Sequence, residues 1–443
     1  MKKFTADFET ATWSESETWV WAWAVCEIGN PENVIIENNI ESFIEFCKKQ
    51  NNATFYFHNL KFDSEFIIYY LLENGFTHVT DKKEAKDKTF TTLISDMGAF
   101  YQLTIYFKKN GKKVKKATFI DSLKIIPFKV SEIAKGFGIP EQKLEIDYKQ
   151  ERSRNHRLTK EEKDYIKNDV VIVAKALYIL FSEGLNKMTQ GSNALSDFKN
   201  MLRKSSYKHY FPELEPDVDE SIRKSYKGGF TYLNPIYKEK DVGNGVVLDV
   251  NSLYPSVMRF EKLPFGEPIY FKGKYKDDNV YDLYIQELIC AFEIKKDKIP
   301  TIQIKKRKFE FKETEYLESS NGEIVTLTLT SIDLKLFFEH YEVYNLKFVG
   351  GWKFKSINGI FDEYIDKWVK RKIEASKEGN KAIRSLSKLM LNALYGKFAT
   401  SLKAQSKIPY LEDGIVKYKL GDVENKKGLY IPIRFFYYSI RKK

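Results

Sequence analysis

Two carboxylates stand two residues apart near the start of the chain, at Asp7 and Glu9. Lys3 to Phe8 reads as a strand, and on a strand residues i and i+2 share a face. Neighbouring carboxylates repel, and a divalent cation would relieve the repulsion; a solvated strand face could carry the same pair without one. A third carboxylate, Asp63, ends Asn59-Leu60-Lys61-Phe62-Asp63, where a helix opens after a short strand. Tyr165 and Asp169 are i and i+4, on one face of a long helix. Farther on, the apolar run Val246–Leu248 reads as a buried strand ending in Asp249. A carboxylate there is costly to bury unless a metal or a cation meets it. Pro255 is expected to stop a helix from starting, which leaves Leu253 and Tyr254 in a turn with amides facing a ligand. Lys381, Arg384 and Lys388 recur at helical spacing as one cationic stripe, continued by Asn392 and Tyr395. A solvated basic helix face would look the same.

The elements that must hold these groups alternate over residues 1 to about 190. Strands are expected over Lys3 to Phe8, Thr18 to Glu27, Thr54 to Phe57 and Ala117 to Ile120, with a hairpin region over Thr91 to Phe107. Helices are expected over Ile40 to Lys49, Ser64 to Leu72 and Lys160 to Leu180. The last has Thr159 as N-cap and Glu162 at the capping-box position. This mixed α/β pattern suits one nuclease-type domain. Asp217-Val218-Asp219 lies in a polar stretch and reads as loop. Two helices, Gly359 to Ser376 and Asn380 to Thr400, form an αα-hairpin. A β-hairpin follows, with Asp413-Gly414 as its turn.

With 443 residues the chain is long enough for about three domains. The net charge of +12 favours a polyanionic partner, either nucleic acid or a membrane surface. No apolar run approaches the roughly 20 residues a spanning helix requires, and the N-terminus lacks the apolar core of a signal peptide. Three scattered cysteines, Cys26, Cys47 and Cys290, spell no zinc site and suit buried thiols in a reducing cytoplasm. The 33 Phe and 28 Tyr, beside 73 Lys plus Arg, suit stacking on bases, although a large core would use the aromatics too.

The ordered set Asp7-x-Glu9, Asn59-x2-Phe62-Asp63 and Tyr165-x3-Asp169 resembles the three exonuclease motifs of proofreading DNA polymerases. Asp249-Val-Asn-Ser-Leu-Tyr254-Pro resembles motif A of family B DNA polymerases. Lys388-x3-Asn392-Ala-Leu-Tyr395-Gly resembles motif B, with Ala393 where Ser is common. Tyr226-Lys227-Gly228-Gly229 resembles the motif joining the exonuclease and polymerase halves, and its glycines let the backbone approach a strand of nucleic acid. Asp121-Ser122-Leu123, Lys143-x3-Asp147-Tyr148, Ile299–Ile304 and Trp352–Lys355 resemble the protein-primed branch of that family, the polymerases of small tailed phages with linear genomes.

The resemblance implies an α/β (α+β) fold: an RNase H-like 3′–5′ exonuclease domain followed by an incomplete right-hand polymerase. Asp7, Glu9, Asp63 and Asp169 would hold two Mg²⁺ or Mn²⁺ ions about 4 Å apart. Tyr165 would orient the attacking water, and Lys143 would serve the same catalysis. Thr10, Asn59, Phe62, Ser122, Leu123 and Tyr148 would hold a single-stranded 3′ end, and Tyr226, Gly228 and Gly229 would contact DNA. In the polymerase half, Asp249 and Val250 would bind metal. Tyr254 would pack under the sugar of an incoming dNTP. Lys388, assisted by Lys372 and Arg384, would bind its triphosphate, with Asn392 and Tyr395 beside it.

The implied domains are 1–190 (exonuclease), 191–256 (first part of the palm), 257–358 (an insertion contacting terminal protein), 359–400 (fingers), 401–432 (a strand-displacing hairpin insertion) and 433–443 (the start of the remaining palm). Lys305–Lys308 is a basic run within the first insertion, read as a solvated face or a contact for DNA or an acidic protein. No Tyr-x-Asp-Thr-Asp segment follows Tyr395, and Asp422-Val-Glu424 is no substitute. Motif C and the thumb are therefore expected elsewhere. Three readings compete: a protein-primed DNA polymerase that is truncated or split, a stand-alone 3′–5′ exonuclease, and a non-catalytic protein binding DNA or terminal protein. The implied partners are single-stranded and primer-template DNA, the terminal protein primer and a separate chain carrying motif C and the thumb, with no membrane. The implied location is the cytoplasm of the infected bacterium.

Overall fold

The computed structural model describes residues 1–11, 18–110, 113–202, 204–250, 252–303, 316–400 and 404–423. Ile304, the basic run Lys305–Lys308, Glu424 and 433–443 lie outside them. The described parts of 1–197, 366–394 and 401–428 pack as one unit, and those of 198–365 and 395–400 as another.

The first unit is built on an eight-stranded sheet. Its strands are β1 (Lys3–Thr10), β2 (Val20–Glu27), β3 (Asn30–Glu37), β4 (Thr54–Phe57), β5 (Thr77–His78), β6 (Thr89–Ile94), β7 (Phe100–Asn110) and β8 (Lys113–Asp121), in the order β3-β2-β1-β4-β8-β7-β6-β5. The central strands β1, β4 and β8 run parallel. Helices α1 (Ile40–Lys49) and α2 (Leu60–Glu73) supply crossovers and cover one face. Helices α3 (Val130–Gly136) and α4 (Lys160–Ser182) follow β8. Strand alternation divides β1 cleanly. Phe4, Ala6 and Phe8 enter an aromatic core with Phe43, Phe55, Phe57 and Phe119. The residues between them turn towards α4, where the Thr5 hydroxyl donates to the Val170 carbonyl at 2.7 Å. Ala22, Ala24 and Cys26 of β2 pack with Ile166, Val170 and Val171 of α4 on that face. The α4 capping box forms as its sequence indicates, between Thr159 and Glu162.

The second unit begins within α5 (Gln190–Met201) and continues with α6 (Lys204–Tyr210) and α7 (Pro216–Arg223). The stretch around Asp217–Asp219, read from its polarity as loop, is α7. Proline at N1 costs no hydrogen bond there, and Val218 and Ile222, one turn apart, pack against Leu214, Ile285 and Phe354. After α8 (Leu253–Phe260) comes a four-stranded antiparallel sheet ordered β13-β10-β14-β9. It comprises β9 (Leu263–Lys272), β10 (Leu283–Ile294), β13 (Val325–Thr330) and β14 (Tyr341–Ile357). The short pair β11 (Ile302–Gln303) and β12 (Tyr316–Leu317) and helix α9 (Ser331–His340) complete this region. Its core centres on Leu288, Leu327, Phe337 and Tyr341. A Cβ on Gly351 would lie 1.9 Å from the Ile285 carbonyl oxygen, so β14 passes β10 there only as glycine.

Two expectations fail around Asp249. Val246–Leu248 forms no strand: residues 241–250 are irregular and exposed, Val247 to 97%. β-branched residues favour a strand only where a neighbouring ladder and a packed face receive them, and no described strand pairs with this run. Pro255 does not prevent a helix either. It is the third residue of α8, where backbone N–H groups have no intrahelical acceptor, so its missing N–H costs little. Leu253 and Tyr254 are thus the first helical residues and not part of an open turn.

The αα-hairpin is α10 (Asp362–Lys377) and α11 (Lys381–Phe398). In the first unit α11 comes so close to α3 that a Cβ on Gly136 would overlap the Ala382 methyl. The final hairpin is β15 (Ala404–Glu412) and β16 (Ile415–Val423), turned through Asp413 and Gly414 at φ 54° and 71°. Positive φ at both turn positions matches the twist of the flanking strands. No helix among the described residues is long and apolar enough to cross a membrane.

Candidate active site

The first unit carries a cleft of about 400 Å³, lined among others by Asp7, Glu9, Thr10, Asn59, Phe62, Lys143, Tyr148, Tyr165 and Asp169. Four different elements deliver these side chains. β1 supplies Asp7 and Glu9 from the face opposite its aromatic residues, and Thr10 just past a shift in the ladder register between Glu9 and Thr10. α2 begins at Asn59, which adopts a left-handed conformation at φ 85°. That geometry is tolerated by Asn and is fixed here by Asp121. Asp121 Oδ1 accepts from the amides of Asn59 at 3.2 Å, Leu60 at 3.4 Å and Leu123 at 3.0 Å. The first turn of α2 thereby sets Phe62 on the surface, 49% exposed, and Asp63 inside. α4 contributes Tyr165 and Asp169 from one face, and the irregular segment before it contributes Lys143 and Tyr148.

Polar contacts tie these groups together. Lys143 Nζ donates to Asp169 Oδ2 at 2.5 Å and lies 5.4 Å from the centre of the Tyr165 ring. The Tyr148 and Tyr165 hydroxyls share a hydrogen bond. Ser122 and Leu123 sit in a single 3₁₀ turn after β8, outside the cleft lining. The Ser122 hydroxyl donates to the Phe57 carbonyl at 3.0 Å and lies 3.1 Å from His58 Nδ1. His58 Nε2 donates to the Phe128 carbonyl at 2.7 Å.

Packing four carboxylates into one place has an electrostatic cost. Burial, and then Asp169, push the Asp7 carboxyl up from 3.8 to about 7, only partly opposed by Lys143 and the Phe8 amide. Burial and the charges of Asp7 and Asp169 hold Glu9 well above the ordinary range. Burial and Asp7 do the same to Asp63. Burial raises Asp169 too, although Lys143 offsets part of the effect. Asp63 Oδ1 and Asp169 Oδ1 are buried and accept no hydrogen bond. Oxygens in that condition are unfavourable unless a cation meets them. A donor set made of carboxylate oxygens suits a hard divalent ion such as Mg²⁺ or Mn²⁺. Among the described residues, no three His, Cys, Asp or Glu side chains are already gathered as a metal cage. The countercharges that oppose this rise include Lys143, acting on Asp7, Glu9 and Asp169, and Arg152, acting on Glu9.

His58 was missed from the sequence, and Asp121, quoted there with Ser122 and Leu123, was given no role of its own. A buried Asp directly before Ser-Leu at a strand end is the signal that could have flagged Asp121 as an amide acceptor. His58 had no signal beyond its place next to Asn59; burial chiefly holds its imidazole below the ordinary range.

The remaining candidates are distributed along both units. In the first, Arg384 and Lys388 are exposed on α11 with Lys381, as their spacing requires. Asn392 is half-buried on the same helix, and Lys372 is half-buried on α10. In the second, Asp249 and Val250 stand on the exposed irregular stretch. Tyr254 stacks on Tyr395, with ring centres 3.9 Å apart and planes 8° from parallel. Tyr226, Gly228 and Gly229 lie in an irregular segment, and a Cβ on Gly229 would stand 3.6 Å from the Tyr254 hydroxyl.

Comparison with known proteins gives a single answer. The family model for DNA polymerase type B, organellar and viral, matches residues 44–442. The DNA polymerase of Bacillus phage Nf is 46% identical over 436 residues, 98% of this chain and 74% of that protein. The DNA polymerase of Bacillus phage phi29 is 45% identical over the same shares. The solved structure of Phi29 DNA polymerase complexed with primer-template DNA and incoming nucleotide substrates superposes with a TM-score of 0.91 at 43% identity. That match covers 98% of this chain and 75% of the solved one. The chain belongs to the type B DNA polymerases of organelles and viruses, within their protein-primed phage branch.

Proposed function

We propose that this DNA polymerase also proofreads, as a metal-dependent 3′–5′ exonuclease on single-stranded DNA, at the cleft between β1, α2 and α4. The observation that carries the reading is the carboxylate set Asp7, Glu9, Asp63 and Asp169, with two buried oxygens that lack any hydrogen-bond donor. Family B DNA polymerases use divalent metal ions and dNTP substrates. Two such ions at these carboxylates would supply hydroxide at neutral pH and stabilise charge on the leaving 3′-oxygen. The chain's own groups do the rest. Lys143 donates to Asp169 and offsets part of the rise that burial imposes on its carboxyl. Tyr165, steadied by Tyr148, directs its hydroxyl into the cleft to orient water. Phe62 and Tyr148, both about half exposed, offer ring faces to the terminal bases. Thr10 and Asn59 hold the strand at the cleft wall, with Ser122 and Leu123 supporting that wall from behind.

For polymerisation, Asp249 and Val250 act in metal binding. Tyr254 selects the sugar of the incoming nucleotide, and Lys372, Arg384 and Lys388 attract its triphosphate. Asn392 and Tyr395 position the base. The single-stranded DNA and primer-template that Phi29 polymerase holds in its solved complexes are the proposed partners of this chain too, with a terminal protein contacting 257–358. The decisive test is digestion of a 5′-labelled oligonucleotide by wild type and by the Asp7→Ala, Glu9→Ala double variant in Mn²⁺. Loss of at least a hundredfold is expected, and equal rates would remove the nuclease assignment.

A further inference from the structure

Lys143 and Tyr148 reach the cleft from residues 139–159, which form neither helix nor strand. A segment without a ladder needs other anchors if it is to hold two side chains at fixed places. Arg152 is such an anchor, and it is only 3% exposed. Its Nε donates to Glu162 Oε1 at 2.6 Å. Its Nη1 donates to the carbonyls of Asp147 at 2.9 Å and Gln150 at 3.0 Å, and its Nη2 to Gln150 Oε1 at 3.0 Å. The guanidinium lies 4.7 Å from the ring centre of Trp21 in β2.

One side chain thus joins three pieces: the sheet, the first turn of α4 and the turn 147–150. Asp147 precedes Tyr148, and Glu162 lies one residue short of a helical turn before Tyr165. The two tyrosines whose hydroxyls meet are therefore held through one buried ion pair. Burial pushes the Glu162 carboxyl up, but Arg152, the Thr159 amide and His156 more than offset this and keep it below the usual range. Lysine could keep the charge opposite Glu162, but a point charge on a flexible stem cannot reproduce the planar fork that grips the 147–150 turn.

We infer that Arg152 is a positioning residue of the nuclease site, which pins Tyr148 against Tyr165 without touching DNA. The inference rests on the nuclease reading, but its structural half can be tested without activity. The full chain is compared as wild type, Arg152→Lys, Tyr148→Phe and the double variant. Arg152→Lys should lower kcat for single-stranded DNA about tenfold or more, since ångström-scale misplacement of a reacting group has effects of that size. In the Tyr148→Phe background the same change should cost less than about twofold, because the contact it maintains is already gone. In protein carrying ¹³C-labelled tyrosine, the Tyr165 Cζ resonance of Arg152→Lys should move towards its Tyr148→Phe position. An equal loss in both backgrounds, or a Tyr165 resonance unmoved by Arg152→Lys, would overturn the proposal. A chain whose hydrolysis survives Asp7→Ala with Glu9→Ala overturns the nuclease reading instead, and the resonance then still decides the positioning of Tyr148.

Discussion

Asp7 is the group through which pH and fold stability meet, and on the proposed nuclease reading it is also a metal ligand. In the unfolded chain its carboxyl ionises near 3.8, and in the folded one near 7. A carboxyl raised by folding is bound to a proton in the native state and not in the unfolded state between those two values. Over that window stability falls as pH rises, and the cost is complete above pH 7. At about 1.4 kcal/mol per pH unit, the interval from 3.8 to about 7 corresponds to about 4 kcal/mol. Asp7→Asn keeps the shape and removes the charge. Without divalent ions, the variant's advantage over wild type should grow from near zero at pH 4 to about 4 kcal/mol at pH 8. Millimolar Mg²⁺ or Mn²⁺ should reverse the order, because a bound cation favours the ionised carboxylates of wild type. Urea unfolding from pH 4 to 8, read through hydrogen exchange of the β1 and β4 amides, reports on this unit alone. Wild-type and variant curves that stay parallel across pH would refute the reasoning. So would a wild type that gains nothing from Mn²⁺.

Two further outcomes follow from other residues. Lys388→Ala should weaken dNTP binding by about 1–3 kcal/mol, as loss of a charge-assisted contact does, and flatten its salt dependence; titration with a labelled dNTP at two salt concentrations measures both. Asp121→Ala removes the acceptor of three amides at the start of α2 and should cost about 1–3 kcal/mol of stability together with most of the nuclease rate, measured by denaturation and oligonucleotide digestion.

Much of the first unit was legible because its signals are local and agree with one another. β1 alternates, α1 has an apolar stripe, and α4 carries a full capping box, so propensity, pattern and caps gave one answer for each. The carboxylates were legible for a different reason. Asp7 with Glu9, and Tyr165 with Asp169, owe their shared faces to the strand and helix periods alone. What brings the two pairs together is the sheet order, with β1 at its centre and α4 across it, and no single segment carries that information. The role of Asp121 in holding the start of α2, and that of Arg152, were silent on this account. Each acts on backbone groups at a distance, Asp121 on the start of α2 sixty residues earlier, and a residue type cannot announce such a partner.

The failures at Val246–Leu248, Pro255 and Asp217–Asp219 share one cause: local preference was taken as if context were already known. Three β-branched or aliphatic residues lower the free energy of a strand only by packing on a face and pairing along an edge, and residues 241–250 find neither among the described strands. Proline disfavours a helix through the hydrogen bond it cannot make, and at the third position of α8 no such bond exists to lose. The acidic stretch beginning at Pro216 is polar by count, yet Val218 and Ile222 fall on one helical face and the second unit's core accepts them. In each case the residue obeyed its chemistry, and the neighbour that decided the outcome lay outside the window being read. The same holds for Asp249. Its place after an apolar run signals metal chemistry only if something closes over that run, so the test of its role is nucleotide- and metal-dependent protection of the 246–250 amides from exchange.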